Sequence, residues 1–127
     1  MKYIEGQSRY QKTLFPDVMD DYISSENPVR VIDAFVDGLE LENLGFQSEP
    51  NETGRPPYNP RDILKLYIYG YFNKIRSSRK LETETCRNIE LIWLLNKLSP
   101  DHKTIANFRK DNVKVLKNVF RLLYSLV

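Results

Sequence analysis

The chain of 127 residues has room for one hydrophobic core, or one core with an arm, and not for two full domains. Hydrophobic residues make up 41% of it and aromatic residues 12%, too many for a disordered chain, while 28% charged residues and the lack of any apolar run near ~20 residues exclude a membrane span. The formal charge of +2 conceals a division near Pro60: residues 1–60 carry five Lys/Arg against eleven Asp/Glu, a balance of −6, and residues 61–127 carry fourteen against six, a balance of +8. Such an asymmetry suits a basic module that meets a polyanion, joined to an acidic segment with another role; it also suits two halves that pack on each other. The single cysteine, Cys86, leaves no internal disulfide, and the start Met-Lys-Tyr-Ile-Glu lacks the apolar run of a signal peptide, so the cytoplasm is the expected compartment.

Residues 1–15 have no clear period and read as an arm, followed by a short helix over Asp17 to Ser24. Asn27-Pro28 is a helix start: asparagine accepts the free amide protons, and proline lacks the N–H that would be orphaned at the first helical position. Val29, Ile32, Phe35/Val36 and Leu39 then follow at helical spacing, to an end near residue 44 before Gly45. These elements form an arm and acidic helical segment over 1–45, and the Pro-rich stretch 46–59 is a linker.

The region 60–127 is predicted to be a basic helical domain. Asn59-Pro60 repeats the start signature, with Asp62 in the first turn where a carboxylate suits the helix dipole, and a helix runs to about Asn73 with Leu64, Ile68, Tyr71/Phe72 and Ile75 on its buried stripe. Gly70 inside that helix suggests close approach by another helix. Ser77-Ser78 caps a short helix from about Arg79 to Arg87, amphipathic around Leu81 and Thr85. Asn88 caps the next, to about Lys97, which is apolar on nearly every side and should be the central buried element. After the Ser99-Pro100-Asp101 turn, apolar residues recur at intervals of three and four from Ile105 to Val127, predicting one continuous last helix. The predicted fold is all-α, a multi-helix domain with a helix-turn-helix-like arrangement in its C-terminal half.

Catalytic constellations are scarce. The lone His102 has no second His or Cys at ligand spacing, Cys86 has no obvious base, and no phosphate-binding glycine loop or HExxH motif is present, so neither an active site nor a cofactor is expected in these residues. The informative pattern is a buried helix, a short turn and a basic amphipathic helix, the outline of a DNA-reading helix-turn-helix. At 100° per residue, Lys103, Asn107, Lys110, Lys114, Lys117 and Arg121 cluster opposite the apolar stripe, and the cations among them lack acidic partners at i,i+4. Lysine and arginine there can neutralise phosphates, and Asn107 can make a bidentate contact to adenine; the other reading is an ordinary solvated face. A second cluster, Lys74, Arg76, Arg79 and Lys80, surrounds Ser77-Ser78. Cations at a helix N-terminus oppose its dipole unless an anion completes the site, or unless Glu82 or Glu84 pairs with them. Gly54-Arg55-Pro56 resembles a minor-groove AT-hook but lacks an arginine at position 53, so a linker turn is the simpler reading.

The stretch GRPPYNPRDILKLYIYGYFNKIRSSRKLETETCRNIELIWLLNKLSPDHKTIANFRKDN, Gly54 to Asn112, closely resembles the N-terminal domain of bacterial insertion-sequence transposases of the DDE type. The residues from Asn27 to Asp37 and Leu44-Gly45-Phe46 are similar to the same family's leading segment, and the blocks Arg76 to Arg79 and Thr104 to Arg109 are specific within it. The resemblance implies a helical DNA-binding domain ahead of an RNase H-like catalytic domain whose Asp-Asp-Glu triad binds divalent metal. This sequence stops before any motif of that domain, so none of its carboxylates is assigned to the triad and two-metal chemistry is expected to belong elsewhere. The expected partner is double-stranded DNA at terminal inverted repeats, met by Lys74, Arg76, Arg79, Lys80, Lys103, Thr104, Asn107, Lys110 and Lys114. A homodimer built on the acidic half is the alternative, and no membrane or small-molecule substrate is expected. The stripe from Leu116 to Val127 is expected to lack cover, which predicts self-association.

Overall fold

The computed structural model of the protein describes residues 3–6, 8–10, 18–46 and 58–126. Most of the Pro-rich stretch, including Gly54-Arg55-Pro56, lies outside the described residues. A 3-10 turn at Met19–Tyr22, standing where a short helix is predicted, precedes α1 (Pro28–Asp37), α2 (Leu41–Leu44), α3 (Pro60–Phe72), α4 (Ser78–Arg87), α5 (Ile89–Leu94), α6 (His102–Asp111) and α7 (Val113–Ser125). Among the described residues the β-type pairing is limited to an isolated parallel bridge between Ile4 and Tyr58, so the all-α expectation is borne out.

The helix starts are local in origin. The Asn27 side chain accepts from the Val29 amide at 2.9 Å, Asn59 from Arg61 at 3.0 Å, Asn88 from Glu90 at 3.0 Å and Ser77 from Lys80 at 3.3 Å. Each satisfies an amide that the first turn leaves without a helical partner.

The stops differ from the predicted ones in three places. The first helix is divided, α1 ending at Gly38 and α2 at Gly45, whose φ of +96° lies in the left-handed region that glycine enters without strain. The fifth ends at Leu94 because Asn96 and Lys97 turn left-handed, at φ 52° and 67°, and the Lys97 amide closes back on the Ile92 carbonyl at 2.9 Å. The predicted continuous last helix breaks at Asn112, where φ is −130° and ψ 30°. Its buried side chain donates to the Phe108 carbonyl at 2.9 Å, a local bond that competes with helix continuation. The basic stripe from Lys103 to Arg121 is therefore two helix faces, and a single wheel drawn through them is incorrect.

α3 lies at the centre, with Ile63, Leu64, Leu66, Ile68 and Tyr69 all buried. It packs on α1 and α5, while α4 packs on α6 and α7 on α2 and α6. α5 is buried through Leu91, Trp93 and Leu94, as expected, but Ile89 is exposed. Tyr71 and Phe72, expected on the buried stripe of α3, are exposed, because neighbours on several sides take Ile63, Leu66 and Tyr69 inward instead. Leu116, Val119 and Leu123 of α7 are buried, so the stripe expected to lack cover is covered by the chain's own helices as far as Leu123, while Leu126 is exposed.

Opposite charges join the acidic and basic portions. Lys65 of α3, only 5% exposed, reaches Asp33 at 2.7 Å and Asp37 at 2.9 Å, and Arg9 grips both oxygens of Asp33 at 3.2 Å. Arg61 caps the end of α1, donating to the Val36 carbonyl at 2.6 Å and the Leu39 carbonyl at 2.7 Å. Beside them two guanidinium groups lie over the Trp93 ring, Arg9 at 4.3 Å and Arg30 at 5.0 Å from its centroid, and the indole N–H donates to Asp20 at 2.9 Å. That bond, with Arg30 behind it, holds the Asp20 carboxyl below its usual range.

Two predictions arise here. A Cβ on Gly70 would stand 2.8 Å from the Ile75 carbonyl oxygen and 2.9 Å from Leu81 Cδ2 of α4, so the close approach expected at this glycine comes from α4 and from the turn leading to it. Gly70→Ala gains about 1 kcal/mol of helix propensity but must displace backbone, a cost of roughly 1–3 kcal/mol. The expected result is a net loss of about 1 kcal/mol, read as a lower urea midpoint with unchanged slope.

The second concerns Asp62. Burial pushes its carboxyl up to about 6, Asp37 and Asp33 acting in the same direction and Lys65 and Arg9 against it. A group whose folded pKa is raised binds its proton more tightly in the folded chain, so stability from this group rises as pH falls from above about 6 towards about 4. Asp62→Asn is expected to stabilise the chain at pH 7.5 by on the order of 1–2 kcal/mol and to flatten that part of the pH profile, measured by urea unfolding at pH 5 and 7.5. An unchanged profile would assign the dependence to another group.

Candidate functional site

α6 is held by one side and presents the other. Ile105 is fully buried, and Phe108 stacks between Phe46 and Tyr67, with ring centroids at 5.5 and 5.8 Å. The Tyr67 hydroxyl donates to the Ile105 carbonyl at 2.5 Å, tying α3 to α6. Burial pushes that hydroxyl up to about 12, against the opposing influence of the Arg109 charge and a Ser78 hydrogen bond. In the first turn of α6 the His102 amide donates to Glu82 at 3.3 Å, and its ring Nδ1 stands 3.2 Å from the other Glu82 oxygen. Thr104 donates to Asp101 at 2.5 Å, a bond that holds the Asp101 carboxyl below its usual range. Thr104 is thus engaged at the helix start. Lys103, Asn107 and Lys110, at helical spacing on the opposite side, are exposed together.

The second cluster sits at the junction of α3 and α4. Lys74 takes a left-handed φ of 58° in that turn, and Lys74, Arg76, Arg79 and Lys80 are all exposed. The carboxylates that could neutralise them are engaged elsewhere. Glu84 pairs with Arg87 at 2.5 Å, which lowers the Glu84 carboxyl, and Glu82 faces His102. Among the described residues no acidic group lies in ion-pair contact with any of these four, nor with Lys103, Arg109, Lys110, Lys114, Lys117 or Arg121. Arg9, Arg30, Lys65 and Arg87, by contrast, all have such partners.

The break at Asn112 separates Lys114 from the α6 face, so Lys103, Asn107 and Lys110 form one group and Lys114, Lys117 and Arg121 follow on α7. A groove of about 650 Å³ runs between α3 and the α6–α7 pair, its rim carrying Arg76, Arg109, Lys117 and Arg121 and its walls Tyr67, Tyr71, Phe120 and Tyr124. Of the cations singled out in the sequence, Arg76 of the second cluster and Lys117 and Arg121 of the basic stripe line it, while Lys74, Arg79, Lys80, Lys103, Lys110 and Lys114 do not. Helical periodicity selects neither Arg109, which falls beside the apolar stripe on a wheel, nor Tyr71, which it places on the buried face of α3. The exposed Cys86 has its sulfur 3.3 Å from the Ser99 hydroxyl.

Residues 17–111, well over half of the chain, match the model of the family described as Transposase domain (DUF772). No curated protein and no solved structure gave a significant match. The matched span runs from before the 3-10 turn to the end of α6 and so includes the shared core, the α3–α4 junction and the exposed face of α6. On the extent of that match, the chain belongs to the DUF772 transposase domain family.

Proposed function

We propose that this chain is the DNA-binding module of a bacterial, cytoplasmic transposase, and that it recognises the terminal inverted repeats of its element without itself cutting or joining DNA. The observation that carries the reading is the segregation of charge: basic side chains on α6, α7 and the α3–α4 junction have no acidic ion-pair partner among the described residues, while Glu84 and Glu82 of α4 are engaged with Arg87 and His102. In this reading α4, α5 and α6 act as a helix-turn-helix, with α6 in the major groove. Lys103, Lys110 and Lys114 neutralise phosphates, Asn107 reads an adenine edge, and Thr104 sets the start of the recognition helix. Lys74, Arg76, Arg79 and Lys80 hold the flanking backbone, where the N-terminus of α4 adds its dipole to their charge. The metal-dependent chemistry of DDE transposases falls to residues other than these, and no cofactor is needed for the binding step.

The test is fluorescence anisotropy with an inverted-repeat duplex and a scrambled duplex of equal length at two salt concentrations. Tighter binding to the repeat, with affinity falling steeply as salt rises, is the expected result. Equal affinities that fall equally would reduce the chain to a nonspecific binder, and no binding to either would overturn the reading.

A second reading, a module that assembles transposase protomers, is favoured by the exposed Leu122 of α7, by Leu126 just past its end and by Val31 of α1, 66% exposed. Light scattering on the full chain across a concentration series tests it; a monomer throughout would argue against it.

A further inference from the structure

We propose that the groove between α3 and the α6–α7 pair takes unpaired nucleotides of a DNA strand, their bases stacking on Tyr71 and Tyr124 and their phosphates meeting Arg76, Arg109, Lys117 and Arg121. Four cations and no carboxylate line the groove, so its charge complements a polyanion. Its volume of about 650 Å³ falls within the roughly 300–1,000 Å³ typical of sites that enclose a small molecule.

The aromatic walls point to bases rather than to a paired backbone alone. Tyr71 is 51% exposed and Tyr124 54%, large apolar rings left open to solvent between cations. They are held in place by one another: Tyr71 lies 4.8 Å from Phe120 and 6.2 Å from Tyr124, the last pair edge to face, and the two tyrosine hydroxyls meet. Within a duplex the faces of the bases are covered by their neighbours, so a ring set beside phosphate-binding cations can be used only by a base whose face is free. A second copy docked symmetrically on the same groove would bring the four cations against their own equivalents, which disfavours that occupant.

This inference rests on the DNA-binding reading above, in which α6 holds the duplex from which a single strand reaches the groove. The experiment uses the full chain, with a blunt inverted-repeat duplex and the same duplex carrying a short single-stranded extension that contains 2-aminopurine. The extension is expected to tighten binding about ten-fold, the scale of one or two stacked bases, and to change 2-aminopurine emission on binding. Tyr124→Ala is expected to remove that gain while leaving the blunt-duplex affinity in place. Tyr71→Leu serves as the independent variant, and circular dichroism confirms that both fold.

Equal affinity for blunt and extended duplexes would overturn the inference and leave the DNA-binding reading standing. Failure to bind either DNA would overturn both. A gain that survives both tyrosine variants would place the single strand elsewhere and overturn the assignment to this groove. Concentration-dependent dimerisation lost in Tyr124→Ala, with no gain from the extension, would make the groove a protein interface and overturn it as well.

Discussion

Replacing Trp93 with alanine is expected to destabilise the fold by about 4 kcal/mol, close to the whole stability of a small domain. Three consequences of one substitution combine. The indole is 2% exposed, so its removal leaves a large cavity beside Leu91, Leu94 and α3. Asp20 loses the N–H that reaches it at 2.9 Å. Arg9 and Arg30 lose the ring that lies 4.3 and 5.0 Å from them, and with it part of what brings residues 8–10 and 18–30 onto α5. Trp93→Phe should cost less than half as much, since it keeps most of the volume and an aromatic face and loses the hydrogen bond, which is worth about 1 kcal/mol. Trp93 is the chain's only tryptophan, so wild-type unfolding can be followed by its fluorescence, and the variants by circular dichroism in urea. A cost below about 1 kcal/mol for Trp93→Ala would mean that the indole and its two guanidinium contacts contribute little to the core.

The second large effect is on binding. The triple variant Lys103→Ala, Lys110→Ala, Lys114→Ala is expected to lose roughly 100-fold or more in affinity for duplex DNA at low salt, and to flatten the dependence of log K on log salt by about three units, one for each phosphate contact. All three side chains are exposed and none is in an ion pair among the described residues, so their removal should leave stability within about 0.5 kcal/mol of the parent. Asn107→Ala is the contrasting variant: it should relax preference at one adenine by about 1–3 kcal/mol and leave the salt slope unchanged. Equal binding by the triple variant and the parent would remove α6 from the interface. Since α6 and α7 are separate helices, Lys114→Ala alone also measures whether the start of α7 reaches the same duplex.

The helix starts were legible in the sequence because capping is local. Asn27-Pro28, Asn59-Pro60, Ser77 and Asn88 each meet an amide two or three residues onward, and no distant part of the chain is needed to decide the matter. Stops were less legible. The end of α5 depends on left-handed backbone at Asn96 and Lys97, and the break at Asn112 depends on an asparagine whose buried side chain turns back to Phe108; neither interrupts the apolar period that a wheel reads. The candidate site divides in the same way. Lys103, Asn107 and Lys110 share a face through helical spacing alone, whereas the grouping of Arg76 with Arg109, Lys117 and Arg121 requires α3, α6 and α7 to be packed together.

By itself, then, the sequence determined that this chain is helical, where most of its helices begin, that its charge is divided near Pro60, and that its residues resemble a transposase's leading domain. These rest on hydrogen bonds within a turn, on composition and on residue order, none of which depends on distant contacts. The tertiary structure alone decided how the charge is used. Lys65 and Arg9 are committed to Asp33, so part of the division is a seam inside the fold, while the basic side chains of α6, α7 and the α3–α4 junction face outward without partners among the described residues. Sign and number of charges can be counted along a chain, but burial and pairing are set by which helices pack together. For the same reason Tyr71 and Tyr124 face solvent beside arginines and a lysine: neighbouring helices filled the core with other side chains of α3 and α7.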